Sequence, residues 1–137
     1  MSKSTYLANA IANEVLGATN WVPPATVYVA LYSTAPTGYG TGGTEFDSVT
    51  EPGYARVAVT NSAANFPAAV AGAKATGVII TFAANSAGVN WANAVAFGIF
   101  DASAAGNLLG YGSCTPLACT PASQLDIPSG TTIWTEA

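Results

Sequence analysis

Carboxylates carry most of the ionisable chemistry that this sequence offers. Its 137 residues include seven Asp and Glu and no histidine. Serine and cysteine nucleophiles usually need a histidine base, so those hydrolytic mechanisms are disfavoured. A glycosidase needs only two carboxylates, and the pairs Asp101 with Asp126 and Glu45 with Glu51 are formally available. We expect instead that these acids serve turns and solvated loops, where Asp bonds to nearby backbone amides. The sequence therefore predicts a protein that is not an enzyme.

Two other residue sets could bind a metal or a phosphate. Cys114 and Cys119 lie five positions apart around a proline, a spacing that permits a small disulfide loop. Two free thiols are the expected state, and zinc would need further ligands that the histidine-free chain does not offer nearby. The glycine-rich stretch 38–43 is followed by neither a lysine nor a helix start, so it lacks what a phosphate site requires. We expect no metal and no cofactor.

The charge composition indicates which kinds of partner the chain can bind. Three Lys and Arg against seven Asp and Glu give a net charge of -4, which disfavours binding to nucleic acid. No apolar run approaches the length of roughly 20 residues that a membrane span requires, so no membrane association is expected. Only 7% of the residues are charged, against about a quarter in an ordinary soluble domain. Such a weakly charged surface favours membership of an assembly, including contacts between copies of the chain.

One segment has the spacing of a helix, from about residue 4 to residue 16. Leu7, Ile11 and Val15 recur every fourth residue and form an apolar stripe. Ser4 can accept hydrogen bonds from the first-turn amides, and Gly17 can adopt the left-handed conformation that ends a helix. The stripe is expected to pack on a sheet, with a partner-facing surface as the alternative.

Beyond Pro23 and Pro24 the apolar period changes from four to two, which is typical of strands. Strands are predicted between about residues 26 and 134, including a hairpin of 91–100 with 108–111 and a C-terminal hairpin of 124–127 with 131–134. No helices alternate with these strands, so parallel crossovers are not expected. The predicted fold is mainly β, a jelly-roll-like antiparallel β-sandwich with one N-terminal α-helix, in a single domain over 1–137.

Segment 34–53 is predicted to be a long exposed loop, because it is rich in Gly and contains three acids and few apolar residues. Loops of this length are commonly functional or ordered by a partner, and a tolerated surface insertion is the alternative.

Five residues are candidates for contacts with neighbouring molecules. Leu7 and Ile11 belong to the helix stripe, and Tyr39 and Phe46 are aromatic residues of the predicted loop. Arg56, the one arginine, could pair with a carboxylate across a subunit boundary or lie solvated on a sheet face. Tyr and Trp side chains near Asn and Asp could alternatively form a platform for sugars, although core packing explains most of the aromatic residues.

Several blocks of sequence carry a resemblance to a known family. They are YLAN at 6–9, GAT at 17–19, PPATVYVALY at 23–32, GYARVAV at 53–59, VAFGIFDA at 95–102 and GNLL at 106–109. Together they resemble a family of small tailed-bacteriophage virion proteins often labelled tail fibre protein. The resemblance weakens after Gly110, where the segment between the two cysteines looks atypical of the family.

The resemblance implies a non-enzymatic protein present in many copies on the virion exterior and assembled in the host cytoplasm. Its partners would be the major capsid protein or tail proteins, together with copies of itself. A capsid decoration or cement protein is the favoured interpretation, because many modest contacts across a lattice add up to strong binding. A tail fibre or tail-associated protein is the alternative, followed by a module that binds host glycans.

Overall fold

A computed structural model describes residues 2–86 and 88–135. One helix, α1 (Thr5–Gly17), follows the first strand, and a short 3-10 turn lies at Gly38–Gly40. The strands are β1 (Ser2–Lys3), β2 (Thr26–Thr34), β3 (Thr44–Glu45), β4 (Val57–Thr60), β5 (Ala73–Ala75), β6 (Ile80–Thr81), β7 (Ala94–Phe100), β8 (Leu108–Leu117), β9 (Asp126–Ile127) and β10 (Thr132–Thr135). All pairings of these strands are antiparallel, which confirms a mainly β fold with one N-terminal helix. The jelly-roll-like sandwich stays a prediction.

Strand β2 is paired along both edges in the main sheet, whose order is β1-β8-β7-β2-β3, with β4 also paired to β2. Its alternation agrees with the sequence prediction. Val27, Val29 and Leu31 point into the main core, whereas Ala30 and Tyr32 pack in a second cluster on the other face. Both faces of β2 are therefore covered, and β2 connects the two parts of the core.

The predicted hairpin of 91–100 with 108–111 is present as β7 and β8. The predicted C-terminal hairpin is wrong. Strand β9 pairs with β6, with Ile127 opposite Ile80, and β10 pairs with β5, with Thr132 opposite Ala75. An isolated two-stranded hairpin is only marginally stable, and pairing with earlier strands brings Ile133 into the main core.

The predicted strands 54–60 and 76–83 are shorter than expected, because only Val57–Thr60 and Ile80–Thr81 pair in ladders. In the second segment the alternation of burial persists, since Thr76, Ile80 and Phe82 are all buried. The Thr76 amide donates to the Thr131 carbonyl and its hydroxyl donates to the Pro128 carbonyl. Loop contacts therefore replace ladder pairing at the start of this segment.

Segment 34–53 is less exposed than the sequence predicts. It contains β3, and both Phe46 and Glu51 are buried. The Phe46 amide donates to the Leu31 carbonyl at 2.9 Å, which fixes this part of the segment against β2. The prediction of a fully exposed loop is therefore wrong for its second half.

Residues next to α1 explain where the helix begins and ends. The Leu7 amide donates to Ser4 Oγ at 3.2 Å, as expected for an N-cap serine. At the other end the left-handed residue is Ala18, with φ of 54°, and not Gly17 as predicted. The helix continues through Gly17, so the left-handed residue that ends it is the next one, Ala18.

Removing this cap tests how far α1 depends on it. Ser4→Ala is expected to lower the free energy of unfolding by about 1 kcal/mol, because the buried first-turn amide loses its acceptor. Urea unfolding followed by circular dichroism measures the change. Ser48→Ala removes an exposed serine hydroxyl and serves as the control. Equal stability of the two variants would contradict the prediction.

Candidate interaction surface

The five candidate contact residues do not share one environment. Leu7 and Phe46 are buried in the core of the chain, and Tyr39 is exposed in the 3-10 turn. Leu7 and Ile11 line one cavity, and Arg56 is paired within the chain. The structure therefore brings Leu7 and Ile11 together and places the other three elsewhere.

Arg56 holds together two parts of the fold. Its Nε and Nη2 donate to the two carboxylate oxygens of Glu45 at 2.7 and 2.8 Å, and its Nη1 donates to the carbonyls of Ala102 and Ala105, both at 2.8 Å. The guanidinium carbon lies 3.5 Å from the centre of the Phe100 ring. This forked geometry is the one that arginine forms best with carboxylates. Arg56 thus finds its carboxylate in its own chain, and we do not propose it as a contact residue.

Two tyrosines lie beside this ion pair. The Tyr54 hydroxyl accepts from the Leu31 amide at 2.9 Å, and burial raises the pKa of Tyr54 despite the opposing effect of that amide. Burial, helped by the negative charge of Glu45, raises the pKa of Tyr32 to about 12. Both hydroxyls therefore stay neutral at neutral pH.

The remaining acids of this region hold the backbone, as the sequence analysis expects. Asp47 Oδ1 accepts from the amides of Thr50 and Val49 at 2.8 and 2.7 Å, and these hydrogen bonds lower the pKa of Asp47. Asp101 accepts from the amide and the side chain of Asn107 across the β7–β8 turn. These carboxylates are already engaged in loop and turn structure.

An apolar cavity of about 310 Å³ opens between α1, the main sheet and β10. Leu7 and Ile11 form its helical side, and Trp21 and Trp134 are aromatic parts of its lining. Lys74 of β5 is the one charged residue in the described lining. The cavity is therefore an apolar recess with a single cation.

The second half of α1 is uncovered. Residues 12–20 are all exposed, with Val15 at 72% and Leu16 at 89% exposure. The expected packing of the stripe on the sheet therefore holds for Leu7, partly for Ile11, and not for Val15. We refer to Glu14, Val15 and Leu16 as the α1 tip.

Three other features of the described residues concern metal binding, membrane spanning and the cysteines. Within residues 2–86 and 88–135 no three His, Cys, Asp or Glu side chains cluster as metal ligands would. No helix in the described part of the chain has the length and apolarity needed to cross a membrane. Cys114 and Cys119 are free thiols, and burial raises the pKa of Cys114.

Leu16 of the α1 tip and Lys74 of the cavity lining are not among the candidate residues predicted from the sequence. Leu16 is adjacent to the predicted stripe but does not belong to its four-residue spacing. Lys74 lies in a segment for which no strand was predicted, and no local pattern places it beside the helix. A weak signal was available for Leu16, since an apolar residue at the end of a short helix has few neighbours in its own chain.

These features define a class of protein: a small antiparallel β protein whose single described helix has an uncovered apolar half. The model of the family described as Podophage GP4 fiber I protein gp80 matches residues 2–135, and the chain belongs to this family. The resemblance to small tailed-phage virion proteins labelled as fibres is thereby confirmed. A search among curated proteins gives no significant match.

Proposed function

We propose that this chain is a non-enzymatic structural subunit of a podophage fibre, held in the virion by contacts of its uncovered helix. The observation that carries the proposal is the α1 tip, where Val15 and Leu16 are exposed in a chain that belongs to a fibre protein family. Large exposed apolar side chains of a structural protein are candidates for contact surfaces, because burial in an assembly removes their apolar area from water.

The fibre alternative now ranks ahead of the capsid decoration that the sequence analysis favoured. The reason is the description of the matched family, which names a fibre protein. The fold by itself is compatible with either location, because function depends on surfaces and not on architecture.

A structural role also agrees with how the chain uses its acids. Glu45 is paired with Arg56, and the Glu51 carboxylate accepts from the Asp47 amide at 3.0 Å. Asp101 closes a turn. Each of these carboxylates thus holds the fold together. The glycan-binding alternative has less support, because the cavity with two Trp side chains has an almost wholly apolar lining.

The copy number per virion tests the location. Quantitative mass spectrometry of purified particles, with the major capsid protein as internal reference and a tail protein of known stoichiometry as control, gives this number. A few to a few dozen copies are expected for a fibre, because fibres occupy few symmetry-related positions. Hundreds of copies would place the chain on the capsid lattice, and absence from the particle would overturn both assignments.

A further inference from the structure

The described residues of the chain leave the α1 tip uncovered. Leu7 is buried and fixes the start of α1, whereas Leu16 lies nine residues later, about 13 Å further along a rigid helix. A short helix gains most of its stability from contacts with other elements, and every residue of the second half of α1 is exposed. Its apolar side chains therefore suit a partner molecule.

The apolar cavity is continuous with this helix surface. Leu7 and Ile11 of the stripe lie in its lining, and Val15 follows one turn later, outside it. A volume of about 310 Å³ lies at the lower end of the range of ligand pockets, enough for a few side chains of one helical turn. The apolar stripe of each copy thus ends in an exposed valine beside an apolar recess, whereas Leu16, about 100° further round the helix than Val15, points away from the stripe.

The charges of these two features are complementary. Glu14 is the one charged residue of α1 and is exposed. Lys74 is the one charged residue in the described lining of the cavity. Complementary charges at the edge of an apolar contact fix its register and disfavour wrong partners. A second copy of this chain carries both members of the pair.

We propose that the α1 tip of one copy docks in the apolar cavity of a second copy, with Glu14 beside the partner copy's Lys74. The inference rests on the proposed function, because a fibre subunit must contact its neighbours. A reciprocal exchange of tips closes a two-fold dimer, and a one-way contact closes a ring or, where its rotation does not close, builds a filament. In each arrangement Val15, which continues the stripe of Leu7 and Ile11, leaves water and enters the recess.

Sedimentation equilibrium of the purified chain up to about 100 μM tests the apolar part of this contact. The chain is expected to self-associate, and Val15→Ser is expected to raise the dissociation constant at least about ten-fold, because a buried valine is lost from each contact. Val49→Ser is the matched control, since Val49 is 85% exposed and lies away from the cavity lining. A monomeric chain over this range, or an equal effect of the two variants, overturns the proposal.

Charge reversal tests the pairing between copies. Glu14→Lys alone brings two cations together and Lys74→Glu alone brings two carboxylates together, so each variant is expected to associate more weakly than the unmodified chain. An equimolar mixture of the two variants places opposite charges at every mixed contact and is expected to associate more tightly than either alone. A mixture no tighter than the separate variants overturns the pairing. Circular dichroism checks that both variants are folded.

The two proposals fail in different ways. A chain that is monomeric in solution but present in virions at fibre copy number overturns the docking of copies and supports the fibre function. A chain that self-associates through the α1 tip but is absent from virions supports the docking and overturns the fibre function.

Discussion

Replacing Arg56 by methionine is expected to lower the free energy of unfolding by about 3 kcal/mol. The substitution leaves Glu45 without its cation and leaves the carbonyls of Ala102 and Ala105 without the donor that now reaches both. Breaking a buried ion pair from one side costs about 3–5 kcal/mol. The lower end applies because the Glu45 side chain is 25% exposed, whereas that of Arg56 is 8% exposed.

Urea unfolding of Arg56→Met, Glu45→Gln and the double variant measures this effect as a double-mutant cycle. The double variant is expected to be less destabilised than the two single changes added together, because the remaining partner is then no longer charged and unpaired. Arg56→Lys keeps the charge but loses the two parallel hydrogen bonds to Glu45. Its free energy of unfolding is expected to lie between those of the unmodified chain and Arg56→Met. Asp126→Asn, at an exposed acid of β9, is the control. Additive effects within the cycle would show that the two side chains do not act as a pair.

Replacing Phe82 by alanine is expected to cost about 3–5 kcal/mol of unfolding free energy. Phe82 is 1% exposed and stacks on Tyr54 with ring centres 6.5 Å apart and planes 13° apart. Its backbone amide donates to the Leu125 carbonyl, and this hydrogen bond survives the substitution. The loss of unfolding free energy therefore measures the effect of the cavity and of the missing ring contacts, and not the effect of a broken backbone hydrogen bond.

Thermal and urea unfolding measure the loss, with two reference variants. Phe82→Leu keeps most of the buried volume and is expected to cost less than half as much as Phe82→Ala. Ile79→Ala changes the neighbouring exposed side chain and is expected to have a small effect. A loss for Phe82→Ala close to that of Ile79→Ala would mean that the aromatic cluster does not support the core.

The local part of the fold could be predicted from the sequence, and the pairing of distant strands could not. Alternation placed Val27, Val29 and Leu31 on one face because side chains alternate along any strand. It could not show that Ile127 pairs with Ile80, because alternation within one strand carries no information on which distant strand is its partner. Phe46 and Glu51 were missed for a related reason, since their burial comes from contacts of single residues in a segment without periodicity.

The candidate surface could likewise be predicted from the sequence only in its local part. The four-residue spacing of Leu7, Ile11 and Val15 predicted a helix with one apolar face, and this face is present. Spacing cannot show where the sheet stops covering the helix, so the exposure of Val15 became visible only in the structure. The contact of Lys74 with the same cavity depends on the pairing of β5 with β10.

The pairing of β1 with β8, with Ser2 opposite Tyr111, also constrains the order in which the chain can fold as it is synthesised. The partners are more than a hundred residues apart, and such non-local pairing is slow because the closing of a long loop must precede any gain from contacts. Leu7 meets Leu109 in the core only after the ribosome has translated most of the chain. Until then the apolar stripe of α1 lacks the part of its surroundings that Ile99, Leu109 and Ile133 supply, so the nascent chain exposes this stripe for most of its synthesis.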